Sequence, residues 1–130
     1  MIVVDASVVV DLLIHAGRDP KLSRLMLAHA GETFAPELID LEVTHSLRRW
    51  ALRRALSQER ALACIELLQD LPIKRQPHRP FLKRIWQLRH SLTAYDAAYV
   101  TLAEGLGAPL FTRDKKLASA GGNAAKIELI

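Results

Sequence analysis

Ile2-Val3-Val4-Asp5-Ala6-Ser7-Val8-Val9-Val10 begins with three β-branched residues in a row, without polar alternation, and then an acid. A strand that is apolar on both faces belongs in a parallel sheet covered on both sides. Asp5 ends that strand and is placed to cap a helix over Ala6–Ile14, where Val9, Leu12 and Leu13 have helical spacing. Working outward, Gly17, Asp19 and Pro20 make a turn, and Lys21–Ala30 is again helical through Leu22, Leu25 and Met26. Thr33-Phe34-Ala35 predicts a second short strand. Pro36 predicts the start of a long helix, Glu37 to about Ala55, with Leu38, Leu41, Val43, Leu47 and Trp50 on or near one face.

Ser57 predicts an N-cap for a helix over Gln58–Leu71, which Pro72 stops. Ile73-Lys74-Arg75 predicts a brief strand, and Pro80–His90 and Thr93–Glu104 two further helices, the second closed by Gly105 and Gly107. Pro109–Thr112 predicts a strand, Lys115–Ala120 a short helix and Ile127–Ile130 a last strand. Short apolar strands alternating with helices predict an α/β fold of three layers, a short and mainly parallel central sheet between helices. No repeat, low-complexity tract or linker interrupts the 130 residues, so one domain over residues 1–130 is expected.

Half of the residues are hydrophobic and a quarter are charged, with 18 Lys+Arg against 14 Asp+Glu. The net charge of +4 is unevenly placed. Val43–Tyr95 holds eleven basic residues and three acidic ones, a local +8, and the remainder carries −4. Such asymmetry points to a polyanionic partner. The single cysteine, Cys64, forms no internal disulfide, and no Cys/His quartet is present for structural zinc. Ile2–Ile14 contains Asp5 and Asp11, lacks a basic leader, and is too short to span a bilayer. No membrane association and a cytoplasmic location are expected.

Four acids fall near strand ends or helix starts: Asp5, Glu42, Asp96 and Asp114. Parallel sheets place their chemistry beyond the carboxyl ends of their strands, so these positions can converge on one sheet edge. Taken singly, each acid has a structural reading. Asp5 and Asp114 cap the helices that follow them, Thr93-Ala94-Tyr95-Asp96 has the capping-box spacing, and Glu42 can be a solvated helix residue. Their surroundings differ from the Arg-rich faces elsewhere, since Glu42 lies between Leu41 and Val43 and Asp96 between Tyr95 and Ala97. Two like charges 5 Å apart repel by about 3 kcal/mol at an effective dielectric near 20. Converging carboxylates must therefore take up protons or hold a cation. Oxygen ligands without His or Cys select Mg²⁺, with Mn²⁺ as the possible substitute.

At these residues the sequence resembles the PIN-domain family, and within it the VapC-type ribonuclease toxins of toxin–antitoxin modules. The matching pieces are Val3-Val4-Asp5-Ala6-Ser7-Val8, Pro36-Glu37-Leu38 through Leu41-Glu42-Val43 with Leu47-Arg48-Arg49, Leu92–Tyr99, and Thr112-Arg113-Asp114-Lys115-Lys116-Leu117. They fall in family order over nearly the whole chain. The resemblance implies an endoribonuclease in which Asp5, Glu42, Asp96 and Asp114 surround Mg²⁺, with Ser7 and Thr112 as supporting hydroxyls. His45 departs from the family, many members of which carry Asn there, and it joins Arg113, Lys115 and Lys116 as a candidate for substrate phosphate. The resemblance also implies an RNA substrate, a cognate antitoxin protein and a homodimer.

Arg48, Arg49, Arg53 and Arg54 lie along one predicted helix, where a solvated face and RNA binding are both open readings. Aromatic residues are only 5% of the chain, so a base-stacking platform of the RRM type is not expected. Two alternatives stand beside the ribonuclease. A haloacid-dehalogenase-like phosphatase also places an Asp after its first strand, but requires a second Asp where this chain has Ser7. A PIN-like module that binds RNA or a partner without cutting would be marked by loss of an acid, and all four are present.

Overall fold

The computed structural model describes all 130 residues, Met1–Ile130. Its strands are β1 (Ile2–Val4), β2 (Thr33–Pro36), β3 (Ile73–Gln76), β4 (Leu110–Thr112) and β5 (Ile127–Leu129). They form one sheet in the order β3-β2-β1-β4-β5, and every pairing is parallel. β1 is central, with Val3 opposite both Phe34 and Leu110. This explains the absence of alternation in its sequence: Ile2, Val3 and Val4 are all fully buried.

The helices are α1 (Ala6–Ile14), α2 (Pro20–Ala28), α3 (Ile39–Leu52), α4 (Gln58–Asp70), α5 (Leu82–Gln87), α6 (Ala94–Leu106) and α7 (Lys115–Ala118). α1 packs with α2, α3 and α4, and α6 packs on β1, β2 and β4 with α5 beside it, giving the expected three layers. Ile39, Val43 and Leu47 of α3 are buried at successive turns of one face. α6 is apolar almost all round, with Ala97 through Ala103 continuously buried. No helix is long and apolar enough to cross a membrane.

Pro36 differs from its sequence reading. It closes β2 opposite Gln76 instead of opening a helix. The next N–H, from Glu37, donates to the Gln76 carbonyl at 2.9 Å. Strand groups alternate in direction, so the missing N–H of Pro36 faces the side of β1, which has already ended at Val4. The proline therefore forfeits no ladder bond. The expected helix over Pro80–His90 is likewise shorter, a 3₁₀ turn at Arg79–Phe81 leading into α5.

The chain runs from β1 outward through β2 to β3, then crosses to β4 and β5 on the other side of β1. The β1/β4 boundary is therefore the switch point of the sheet, where the crevice beyond the strand ends is open to a ligand. Asp5 follows β1 and Asp114 stands two residues after β4.

Leu47→Ala is expected to lower unfolding free energy by about 2–5 kcal/mol, the usual loss for a buried leucine. Leu41→Ala, six residues earlier on the same helix but 77% exposed, should stay within about 0.5 kcal/mol. Chemical denaturation of the two variants checks the assigned face of α3.

Candidate active site

Asp5 is 6% exposed, the most enclosed of the four acids. One oxygen, Oδ1, accepts from the Val8 N–H at 3.2 Å and from the Ser7 hydroxyl at 2.5 Å; the other, Oδ2, accepts from the Thr112 hydroxyl at 2.5 Å. Each hydroxyl is itself fixed by the turn after β4. Ser7 Oγ accepts the Arg113 N–H and Thr112 Oγ1 accepts the Asp114 N–H, both at 2.9 Å. The capping reading and the site reading of Asp5 thus hold together, because one carboxylate ends β1, caps α1 and joins β1 to β4. Burial pushes its carboxyl above the ordinary value, against the lowering effect of these hydrogen bonds.

Glu42 comes in on the first turn of α3, whose start is pinned by Arg75. That guanidinium pairs with Asp40 at 2.8 Å and donates to the Leu68, Leu71 and Ile73 carbonyls. Glu42 Oε2 accepts from the hydroxyl of Tyr99 at 2.7 Å. Tyr99 is fully buried in α6, one turn beyond Asp96. Burial, and then the charge of Glu42, push its phenol far above its usual value, so it stays a neutral donor.

Desolvation raises the carboxyls of Glu42 and Asp96, and nearby charges add to it: Asp96 and Asp5 for Glu42, Asp114 and Asp5 for Asp96. No basic side chain offsets either one. The structure therefore brings Asp5, Glu42 and Asp96 within electrostatic reach of one another, and Asp114 within reach of Asp96. Asp114 is exposed and caps α7, its Oδ1 accepting the Lys116 N–H at 2.8 Å. As they stand, no three His, Cys, Asp or Glu side chains close a ready cage around an ion. The donor set nonetheless suits a hard divalent cation, being all carboxylate oxygen and uncompensated by protein cations.

An open cleft of about 600 Å³ adjoins these acids and is lined by Ala6, Glu42, His45, Ser46, Arg49 and Tyr95, among others. His45 is exposed there, one turn after Glu42. Lys115 and Lys116 are exposed beside Asp114. Arg113, a candidate phosphate contact in the sequence, is engaged within the fold. Its guanidinium pairs with Asp11 at 2.7 Å and with Asp19, and donates to the Ile130 carbonyl at 2.8 Å. The hydrogen bond to Arg113 in turn holds the Asp19 carboxyl below its ordinary value. Arg113 is a clamp that fastens the turn after β4 to α1 and to the cap of α2. Sequence reading missed both this role and Tyr99, whose partner lies 57 positions away.

The sequence profile of the PIN domain matches residues 2–123. The chain belongs to the PIN-domain family. Ribonuclease VapC1 of Mycobacterium tuberculosis is 43% identical over 129 residues, covering 98% of this chain and 96% of the relative. Ribonuclease VapC12 of the same organism is 40% identical over 131 residues, covering 100% and 99%. Among solved structures, PAE2754 from Pyrobaculum aerophilum aligns at a TM-score of 0.61 with 25% identity, over 90% of this chain and 83% of that one. The VapC-type resemblance of the four acidic segments thus extends over the full PIN domain, and the phosphatase alternative falls away.

Two outcomes follow from this geometry. Tyr99→Phe keeps the buried ring and loses only the hydroxyl that positions Glu42. Its melting temperature should stay near that of the wild type, while kcat falls and KM holds; an equal loss of kcat in Glu42→Gln and in the double variant would locate the effect at Glu42. The raised carboxyls also have a sign. Folded Asp96 binds its proton more tightly than unfolded Asp96, so its contribution favours folding at low pH and is lost as pH rises through the folded value. Asp96→Asn should therefore melt above the wild type at pH 7 in EDTA, with the advantage shrinking toward pH 4, as paired thermal melts would record.

Proposed function

We propose that this protein is a Mg²⁺-dependent endoribonuclease, the toxin of a toxin–antitoxin pair, hydrolysing RNA phosphodiester bonds. The observation that carries this reading is the uncompensated group of Asp5, Glu42, Asp96 and Asp114 at the β1/β4 switch point. Its setting supports RNA as substrate, since exposed Arg48, Arg49, Lys115 and Lys116 lie on the elements around that group. The mycobacterial relatives named as VapC ribonucleases support the same chemistry.

Asp5, Asp96, Glu42 and Asp114 would hold the ion, Mg²⁺ or its substitute Mn²⁺. When bound, such an ion supplies an acidified water and charge neutralisation at the phosphate. The chain's own contribution is positional and basic. Ser7 and Thr112 direct both oxygens of Asp5, and Tyr99 directs Glu42 while leaving its second oxygen to accept the proton of the attacking water. Lys115 and Lys116 face the approaching backbone as non-specific phosphate contacts. A cognate antitoxin and a homodimeric state complete the proposal, in keeping with the family resemblance.

Labelled RNA incubated with the purified protein should be cut with Mg²⁺ or Mn²⁺ and left intact in EDTA. Asp5→Asn and Asp96→Asn should abolish cutting while retaining the fold by circular dichroism. Ser7→Ala should lose about 10–100-fold, the range for groups that orient a ligating side chain. Cutting by folded Asp5→Asn at the wild-type rate would overturn the reading.

The clamp and the lysines separate on salt. Lys115→Ala and Lys116→Ala should each lower the salt slope of RNA binding by about one. Arg113→Gln should instead lower the melting temperature and leave that slope unchanged, because its charge is already taken by Asp11 and Asp19.

A further inference from the structure

Arg113 stands between two residues that orient the acidic edge, Thr112 before it and Asp114 after it. Its own N–H donates to Ser7 Oγ, and the Asp114 N–H donates to Thr112 Oγ1, both at 2.9 Å. A hydroxyl has one proton to give. Because each of these hydroxyls already accepts an amide N–H, its proton is left for Asp5, at Oδ1 from Ser7 and at Oδ2 from Thr112. The backbone of a single turn thus decides how both oxygens of Asp5 are held. Asp114 is carried on the same turn.

What fixes that turn is a side chain. The Arg113 guanidinium reaches three parts of the fold at once. Its Nη2 pairs with Asp11 of α1 at 2.7 Å and with Asp19, and its Nη1 donates to the Ile130 carbonyl, just past β5, at 2.8 Å. Asp19 divides its oxygens between two tasks. Oδ1 caps α2 by accepting the Lys21 and Leu22 N–H groups at 3.0 and 3.2 Å, and Oδ2 takes Arg113. The cap therefore fixes the carboxylate that the guanidinium meets. All three side chains are half-buried, where ion pairs are screened less than at the open surface. Lys115 and Lys116, next along the chain, take part in no ion pair.

We propose that Arg113, held by Asp11 and Asp19, is a positioning residue that sets how tightly the acidic edge holds its divalent cation. The proposal rests on the metal-dependent reading above, and it gives Asp11 and Asp19 a part in that site although neither is among the four acids. Charge and position act here with opposite sign. A guanidinium one residue from Asp114 repels a cation, so by Coulomb's law alone its removal tightens binding. Loss of a group that orients the ligands weakens binding instead, by about 10–100-fold. The direction of the change separates the two effects.

Calorimetric titration of the full chain with Mn²⁺, paired with thermal melts in EDTA, tests the assignment. Arg113→Gln should raise the Mn²⁺ Kd at least about tenfold. Ser7→Ala should raise it as well, and the double variant should be no weaker than the weaker single one, because both changes act through one chain of contacts. Arg84→Gln is the control for destabilisation alone. It breaks the pair with Glu104, two turns beyond Asp96 on α6, and should melt earlier with an unchanged Kd.

A Kd at or below that of the wild type in folded Arg113→Gln would overturn the positioning role and leave the metal-dependent reading intact. Additive effects of Arg113→Gln and Ser7→Ala would do the same. Should Arg113→Gln fail to fold, Asp19→Asn carries the comparison with Ser7→Ala, since its amide oxygen still caps α2. Absence of Mn²⁺ binding by the wild type would instead overturn the parent reading, and the positioning role with it.

Discussion

A carboxylate placed almost out of reach of water, at the end of the central strand, is the constraint around which this protein is arranged. Asp5 has four jobs that one side chain can do only at that point. It stops β1, caps α1, ties β1 to β4 through Thr112, and offers its charge to the crevice. A buried carboxylate without donors is costly, and the hydroxyls of Ser7 and Thr112 meet that cost locally. Because both hydroxyls are anchored by the turn Thr112–Asp114, the acidic edge depends on β1 and β4 lying side by side.

Charge is distributed in two zones that the formal +4 conceals. Glu42 and Asp96 stand immediately outside the basic segment Val43–Tyr95, and folding brings them to the same crevice as Asp5 and Asp114. The basic residues then separate into two kinds. Arg75 and Arg84 are used internally, each forking onto an acid (Asp40 and Glu104), and both also reach backbone carbonyls. Arg48 and Arg49 remain exposed on α3. A count of positive charge overstates the surface open to a polyanion, and the arrangement on α3 matters more than the total.

The sequence was most legible where a local rule decides structure. Uninterrupted Ile2-Val3-Val4 read as a strand buried on both faces. Asp5, Ser57 and Thr93 read as caps and are caps, because an N-cap acts within three residues of itself. Pro36 misled because its preference for a helix start is overridden by pairing with Gln76, forty positions on. The four acids could be nominated from position, but their grouping needed the sheet order. Tyr99 and the Arg113 clamp were illegible for the same reason. Their partners, Glu42 for one and Asp11 and Asp19 for the other, are set by tertiary packing, and neither phenol nor guanidinium announces its partner in the local pattern.

The Asp5–Thr112 hydrogen bond spans 107 positions, and this separation has a consequence during synthesis. β1 is the first strand made, yet one of its two neighbours is among the last. Pairings so distant in sequence form late and slowly. A chain still on the ribosome has Asp5, Glu42 and even Asp96 in hand, but its carboxylate pocket has no far wall until residues 110–114 have emerged and docked. The order of strands therefore makes the acidic edge a late product of folding, assembled only once β4 has docked beside β1.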